Sequence, residues 1–196
     1  MRPCAFLAGA LLALPVLAAT VDERLPRIDP AERLEGKALV TALRAGGYVL
    51  FMRHAKQTAP QPEACSPANL TAEGRQQAAQ VGERLKALAI PVGTIHASIF
   101  CRASITAKLM QVGPVQETAD LLPSTDPAVQ AARGRLLAQP PAAGTNTLLV
   151  SHVQGGEKEA DRMQLELAEI IVYRPDGRGA AAPVARIAPE DWTALE

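Results

Sequence analysis

The sequence predicts an α/β fold: a three-layer α/β/α sandwich with a mostly parallel central sheet. Three observations lead there. Apolar runs suited to strands recur at 48–52, 94–98, 146–150 and 170–173. Stretches of helical spacing stand between them. Two of the runs end at a histidine, His54 and His152, and ligands in open α/β sheets bind just beyond the carboxyl ends of the strands.

The first residues describe a leader. Arg2 is followed by a stretch of Ala, Gly and Leu that ends in Leu17-Ala18-Ala19. This is the pattern of a secretory signal peptide over 1–19, cut after Ala18 or Ala19. The apolar part is too short for a transmembrane helix. It also follows Cys4 instead of preceding it, which argues against a lipid anchor there. The expected location is therefore periplasmic or secreted, with no membrane attachment after cleavage. Residues 20–46 read as a lead-in and helix, and 47–196 as the main domain. Removing the leader takes one charge, Arg2, so Lys+Arg falls from 20 to 19 against 20 Asp+Glu. A near-neutral chain offers no electrostatic footprint for nucleic acid or an anionic membrane surface. Export would leave Cys65 and Cys101, read as one disulfide or as two buried thiols.

Taken in order, 20–30 has no periodicity and reads as exposed. Residues 31–44 carry a helical face through Leu34, Ala38 and Leu43, stopped by Gly46-Gly47. Tyr48 to Met52 form the first strand. Lys56 to Asn69 is a long polar loop of the kind that is functional or tied down. Thr71 is an N-cap with Glu73 in the first turn. Ala78, Val81, Leu85 and Leu88 then give the clearest amphipathic helix, ended by Pro91. Thr94–Ser98 is a second strand, and 99–103 turns into a helix reaching about Gln111. Val115 to Leu122 is ambiguous, a short strand leading to a turn at Pro123. Pro127 to Leu137 is helical, with proline tolerated near the start. Asn146 to His152 is a strand with the histidine at its end, 161–168 a helix, 170–173 a strand, 175–177 a turn and 183–187 a final strand.

The chemistry gathers at strand ends. Arg53-His54 and His152 stand there, and Arg102 stands at a strand-to-helix junction, where free backbone N–H groups also collect. A neutral imidazole can attack phosphorus, arginine forks match the phosphoryl oxygens, and a second histidine adds a donor. A zinc site from His54, His96, His152 and a cysteine has no HxxxH or CxxC spacing to support it. His96 reads instead as a strand histidine with a local hydrogen bond.

These stretches resemble the histidine phosphatase superfamily, also called phosphoglycerate mutase-like. YVLFMRHA at 48–55 resembles its first strand and Arg-His motif, CRA at 101–103 with Thr106-Ala107 its CRA-x-x-TA helix start, and LLVSH at 148–152 the strand of its second histidine. Cys65 followed by Asn69-Leu70-Thr71-Ala72-Glu73-Gly74-Arg75 is similar to small exported members. The resemblance implies His54 as nucleophile, His152 as second catalytic histidine, and Arg53 and Arg102 as the phosphate clamp. It also implies a Cys65–Cys101 disulfide, no metal or organic cofactor, and a small phosphate ester as partner. The implied activity is hydrolysis of phosphate monoesters; the alternative is a degenerate member that binds such an anion without turnover. Three departures stand out. Val153 follows His152 where glycine or asparagine is usual, Ser104-Ile105 replaces a charged pair, and no motif places the general acid. Glu63, Glu117 and Asp120 are candidates for that acid by region alone.

Overall fold

The computed structural model describes residues 28–153 and 165–195. The expected leader, the lead-in through residue 27, Gln154–Gly156 and the first half of the helix expected over 161–168 lie outside the described residues.

Among the described residues ten helices and strands follow one another: α1 (Gly36–Ala45), β1 (Val49–Arg53), α2 (Ala72–Ala87), β2 (Val92–Ser98), α3 (Cys101–Met110), β3 (Val115–Thr118), α4 (Pro127–Ala138), β4 (Asn146–Ser151), β5 (Ile170–Pro175) and β6 (Ala181–Ile187). Single 3-10 turns form at Pro67–Asn69, Ala119–Leu121 and Asp191–Thr193. The strands make one six-stranded sheet in the order β3-β2-β4-β1-β5-β6. β3, β2, β4 and β1 are mutually parallel, and β5 runs antiparallel to both its neighbours. The sheet is thus mostly parallel, as the doubly buried runs predict.

Burial explains the layers. Alternate strand residues point to opposite faces. Leu50, Met52, Ile95, Leu148 and Val150 face α1, α2 and α3 in the larger core, with Leu39, Val40 and Leu43 of α1 inside it. Val49, Phe51, Leu149, Ile171 and Tyr173 face the other way, against Leu121 and the Leu136 and Leu137 side chains of α4. The central strands β1 and β4 therefore present apolar groups on both faces.

Several boundaries move for tertiary reasons. The first helix starts at Gly36, not near residue 31, because Leu34 N–H donates to the Val184 carbonyl at 2.8 Å and holds the preceding chain against β6. α2 stops at Ala87, and Ala89 turns left-handed at φ 51 before Pro91. Leu165–Ala168 are not helical. β6 begins two residues ahead of Pro183, which an edge strand tolerates. The ambiguous segment resolves into β3 and a 3-10 turn.

The long loop is anchored at one buried point. Asn69 is fully buried; its amide nitrogen donates to Gln61 Oε1 and the Pro62 carbonyl, and its Oδ1 accepts from Ser66 N. Gly74 lets the first turn of α2 press on the same loop: a Cβ there would meet the Lys56 carbonyl oxygen at 2.0 Å.

Candidate active site

The site is built where β1 and β4 end and α3 begins. The β1 residues Val49 to Met52 are buried and Arg53 is half-buried. His54, 6% exposed, follows at the strand end. Its backbone N–H donates to the Ser151 carbonyl at 2.9 Å, which closes β1 onto β4. Its Nδ1 lies 2.8 Å from the Ala55 carbonyl. A carbonyl only accepts, so Nδ1 carries the proton and Nε2 keeps the lone pair. Burial lowers the pKa of His54 to about 4; the Ala55 carbonyl opposes this, and Arg102 and Arg53 push it further down. At neutral pH the ring is uncharged.

Arg53 turns its Nη1 onto the Leu165 carbonyl at 2.5 Å. Burial lowers its pKa and the charge of Glu169 offsets part of that. Glu169 is itself 1% exposed and ion-paired with Arg186, whose Nη2 donates to Oε2 at 2.8 Å.

Arg102 stands in the first turn of α3. Its Nε donates to His152 Nδ1 at 3.2 Å, and its guanidinium lies 4.7 Å over the Phe100 ring. His152 Nε2 is 2.9 Å from Ser98 Oγ. Because Arg102 Nε can only donate, Nδ1 accepts and Nε2–H donates to the serine. In these contacts His152 is an acceptor toward an arginine, where the sequence reading expects a donor toward phosphate. The His54 and His152 rings are 5.2 Å apart between centroids at an interplanar angle of 61°. Burial, then Arg102, His54, Arg53 and Arg133, lower the pKa of His152 to about 2.

The four residues expected to act together thus fall at one place: His54, His152 and Arg102 by contact, Arg53 through its charge. Cys65 and Cys101 are bonded, with α-carbons 5.0 Å apart and a sequence separation of 36. This fastens the long loop to the start of the Arg102 helix. Two of the regional acid candidates, Glu117 and Asp120, are engaged by other partners. Glu63 is exposed, and Glu117 is taken by Ser104 Oγ at 2.5 Å and Lys108 Nζ at 2.7 Å. Asp120 acts on His96. His96 lines a small cavity of about 70 Å³ with Thr94, Thr147, Gln139 and the Pro140-Pro141 pair, and no site residue lines it. Among the described residues no group of three or more His, Cys, Asp or Glu is placed to hold a metal ion.

Sequence reasoning overlooks the polar side chains that aim these groups. Thr106 Oγ1 donates to the Arg102 carbonyl at 2.6 Å and accepts from Ala55 N at 3.1 Å, which ties α3 to the His54 turn. Its place in the CRA-x-x-TA pattern is the signal that marks it. Ser98 receives His152, and Ser151 Oγ donates to the Leu121 carbonyl at 2.7 Å just before His152. Arg133, 8% exposed on α4, donates to the next carbonyl, Leu122, at 3.3 Å and adds positive charge near His152. Nothing in local sequence flags Arg133.

A family model described as histidine phosphatase superfamily (branch 1) matches residues 49–122. No curated protein matches the chain. Solved structures share the fold. The protein histidine phosphatase SixA complexed with tungstate superposes with a TM-score of 0.58 at 17% identity, over 74% of this chain and 98% of that one. A candidate phosphohistidine phosphatase SixA from Nakamurella multipartitia gives 0.53 at 17% identity, over 73% and 96%. A candidate α-ribazole-5′-phosphate phosphatase from Escherichia coli K-12 gives 0.50 at 16%, over 74% and 98%.

Proposed function

We propose that the chain, whose stretch 49–122 matches a histidine phosphatase superfamily model and whose fold is shared by a protein histidine phosphatase, hydrolyses small phosphate monoesters through a phosphohistidine at His54. One observation carries the reading. His54 Nδ1 is held by the Ala55 carbonyl at 2.8 Å, so the free lone pair is on Nε2, on a buried ring beside the cations Arg53 and Arg102. Two of the solved structures that share the fold are phosphatases by name, which supports phosphatase chemistry as the class of reaction.

In this mechanism Nε2 attacks phosphorus in line with the ester oxygen, the P–N bond forms, and the P–O bond to the leaving group breaks with its electron pair on oxygen. Arg53 and Arg102 balance charge on the equatorial oxygens, and the N-terminal turn of α3 adds its dipole. Nδ1 keeps its proton throughout, so the intermediate is a phosphorylated imidazolium, a good leaving group for water. Water then attacks phosphorus and returns the lone pair to Nε2, leaving inorganic phosphate. We further propose that the chain works outside the cytoplasm. The bonded cysteines fit an oxidising compartment, and no helix among the described residues is long and apolar enough to cross a membrane.

A second reading has its own support. Glu117 is engaged by Ser104 and Lys108, Asp120 acts on His96, and Val153 follows His152, so binding of a phosphate ester without turnover is the competing function. The test is a rapid quench with a labelled phosphate ester, without added metal and with EDTA present. A base-stable, acid-labile label on the protein is expected, lost together with turnover in His54→Ala. Substantial hydrolysis by His54→Ala in a clean preparation would end the covalent reading. Tight binding of the ester with no wild-type turnover would establish the second one.

A further inference from the structure

Among the described residues the exposed large hydrophobic side chains are Ile99, at 45%, and Phe100, at 41%. They are adjacent, on the two-residue corner between β2 and α3, at the rim of the site. Leaving such groups in water is unfavourable, and exposed apolar patches on a folded chain commonly mark binding surfaces. The corner is rigid. Ile99 N–H donates to the Thr118 carbonyl and Phe100 N–H to Ser98 Oγ, each at 3.3 Å. The Phe100 carbonyl accepts from Ala103 and Ser104 at 2.9 and 3.1 Å, and the next residue, Cys101, is bonded to Cys65. The Phe100 ring meets His152 edge-on at 5.5 Å and carries the Arg102 guanidinium over one face at 4.7 Å.

The histidines form the buried floor, at 6% and 3% exposure. A phosphoryl group held there must send its substituent outward, past the corner. A rest for Arg102 alone needs neither two-fifths of the Phe100 ring in water nor a second exposed apolar residue beside it. We propose that Phe100, with Ile99, selects phosphate monoesters whose organic group is flat and apolar, aryl groups above all, by packing that group on the rim while Arg53 and Arg102 hold the phosphoryl. This rests on the anion pocket proposed above and names the substrate class that the pocket prefers.

The test uses non-hydrolysable probes, so that it is independent of turnover. Calorimetry would compare phenylphosphonate, methylphosphonate and inorganic phosphate on wild type, Phe100→Ser and Ile99→Ser. Wild type is expected to bind phenylphosphonate about fivefold tighter than methylphosphonate, the scale of one aromatic contact. Phe100→Ser should erase that preference, and Ile99→Ser should reduce it. Equal binding of the two phosphonates by wild type, or no binding of either, overturns the proposal. So does a preference that survives Phe100→Ser, even if all three ligands weaken together, for then Phe100 serves only to support Arg102. Hydrolysis of p-nitrophenyl phosphate is scored separately. Its absence in a wild type that keeps the phosphonate preference removes the phosphatase reading and leaves the selectivity in place.

Discussion

Arg102 Nε donates to His152 Nδ1 at 3.2 Å, and Ser98 Oγ holds the other nitrogen of the same ring at 2.9 Å. The second histidine is therefore a fixed acceptor that aims an arginine, and in the proposed mechanism the arginine's remaining N–H groups would meet the phosphoryl oxygens.

The first prediction follows from that bond. His152→Ala should weaken inhibition by phosphate or vanadate by about ten- to a hundredfold, the equivalent of the ~1.5–3 kcal/mol of a hydrogen bond to a charged group. His152→Asn, whose amide oxygen can accept from Nε, should recover part of the loss. Unchanged phosphate inhibition in His152→Ala would remove the positioning role.

The second prediction concerns pH. His54 and His152 have pKa values lowered to about 4 and about 2. The folded chain thus resists protonation that the unfolded chain accepts below about pH 6.5. Above that value both states hold neutral rings and these groups give no slope. Below it, stability should fall as pH falls, by ~1.4 kcal/mol per unit for each histidine. The His54 contribution should level off below about pH 4, while that of His152 continues lower. Urea titrations at several pH values should show a shallower slope in His54→Gln/His152→Gln, and identical slopes would refute the assignment. Wild-type kcat/KM should likewise hold through mildly acidic pH and fall as His54 protonates near pH 4.

The disulfide gives a third. Native protein prepared under oxidising conditions should show no alkylatable thiol at Cys65 or Cys101. Reducing the bond, or Cys65→Ser with Cys101→Ser, should cost roughly 2–4 kcal/mol and weaken phosphate binding, because the bond sits one residue from Arg102. Retained anion affinity in a folded double variant would show that the bond serves stability alone.

A fourth prediction lies at the opposite end of the strands. Asn146 is fully buried, donates to the Leu43 and Pro91 carbonyls at 2.7 and 2.9 Å, and accepts from Tyr48 N at 3.2 Å. It joins α1, β1 and β2 with one side chain. Asn146→Ala should destabilise the fold by about 3 kcal/mol, roughly 1 kcal/mol per hydrogen bond, without altering which anions bind. A denaturation midpoint equal to that of wild type would contradict this account.

Asn146 also illustrates what sequence conveys and what it does not. The apolar runs of β1 and β4 declare their own burial, so the strands, and with them His54 and His152, are legible from periodicity. Thr71 and Glu73 mark the start of α2 by local chemistry. Asn146, Ser98 and Thr106 are polar residues whose meaning comes from partners about 50 to 100 residues away, and no window on the sequence contains both. The start of α1 moves because Leu34 answers to Val184, a contact of the same kind. The regional acids failed for the opposite reason: proximity in sequence put Glu117 near Arg102, and the alternation of β3 sent it to Ser104 and Lys108.

The strand order has a temporal consequence. β1 lies between β4 and β5, so the strand carrying Arg53 borders only segments made much later; Tyr48 and its partner Asn146 are 98 residues apart. Closing so wide a loop costs entropy before any contact offsets it. A growing chain that has emerged only as far as α4 holds an arginine and a histidine on a strand with no neighbour on either side. The two histidines meet only when most of the chain is present. Under the proposed function, no phosphoryl chemistry would begin until β4 and β5 have closed on either side of β1.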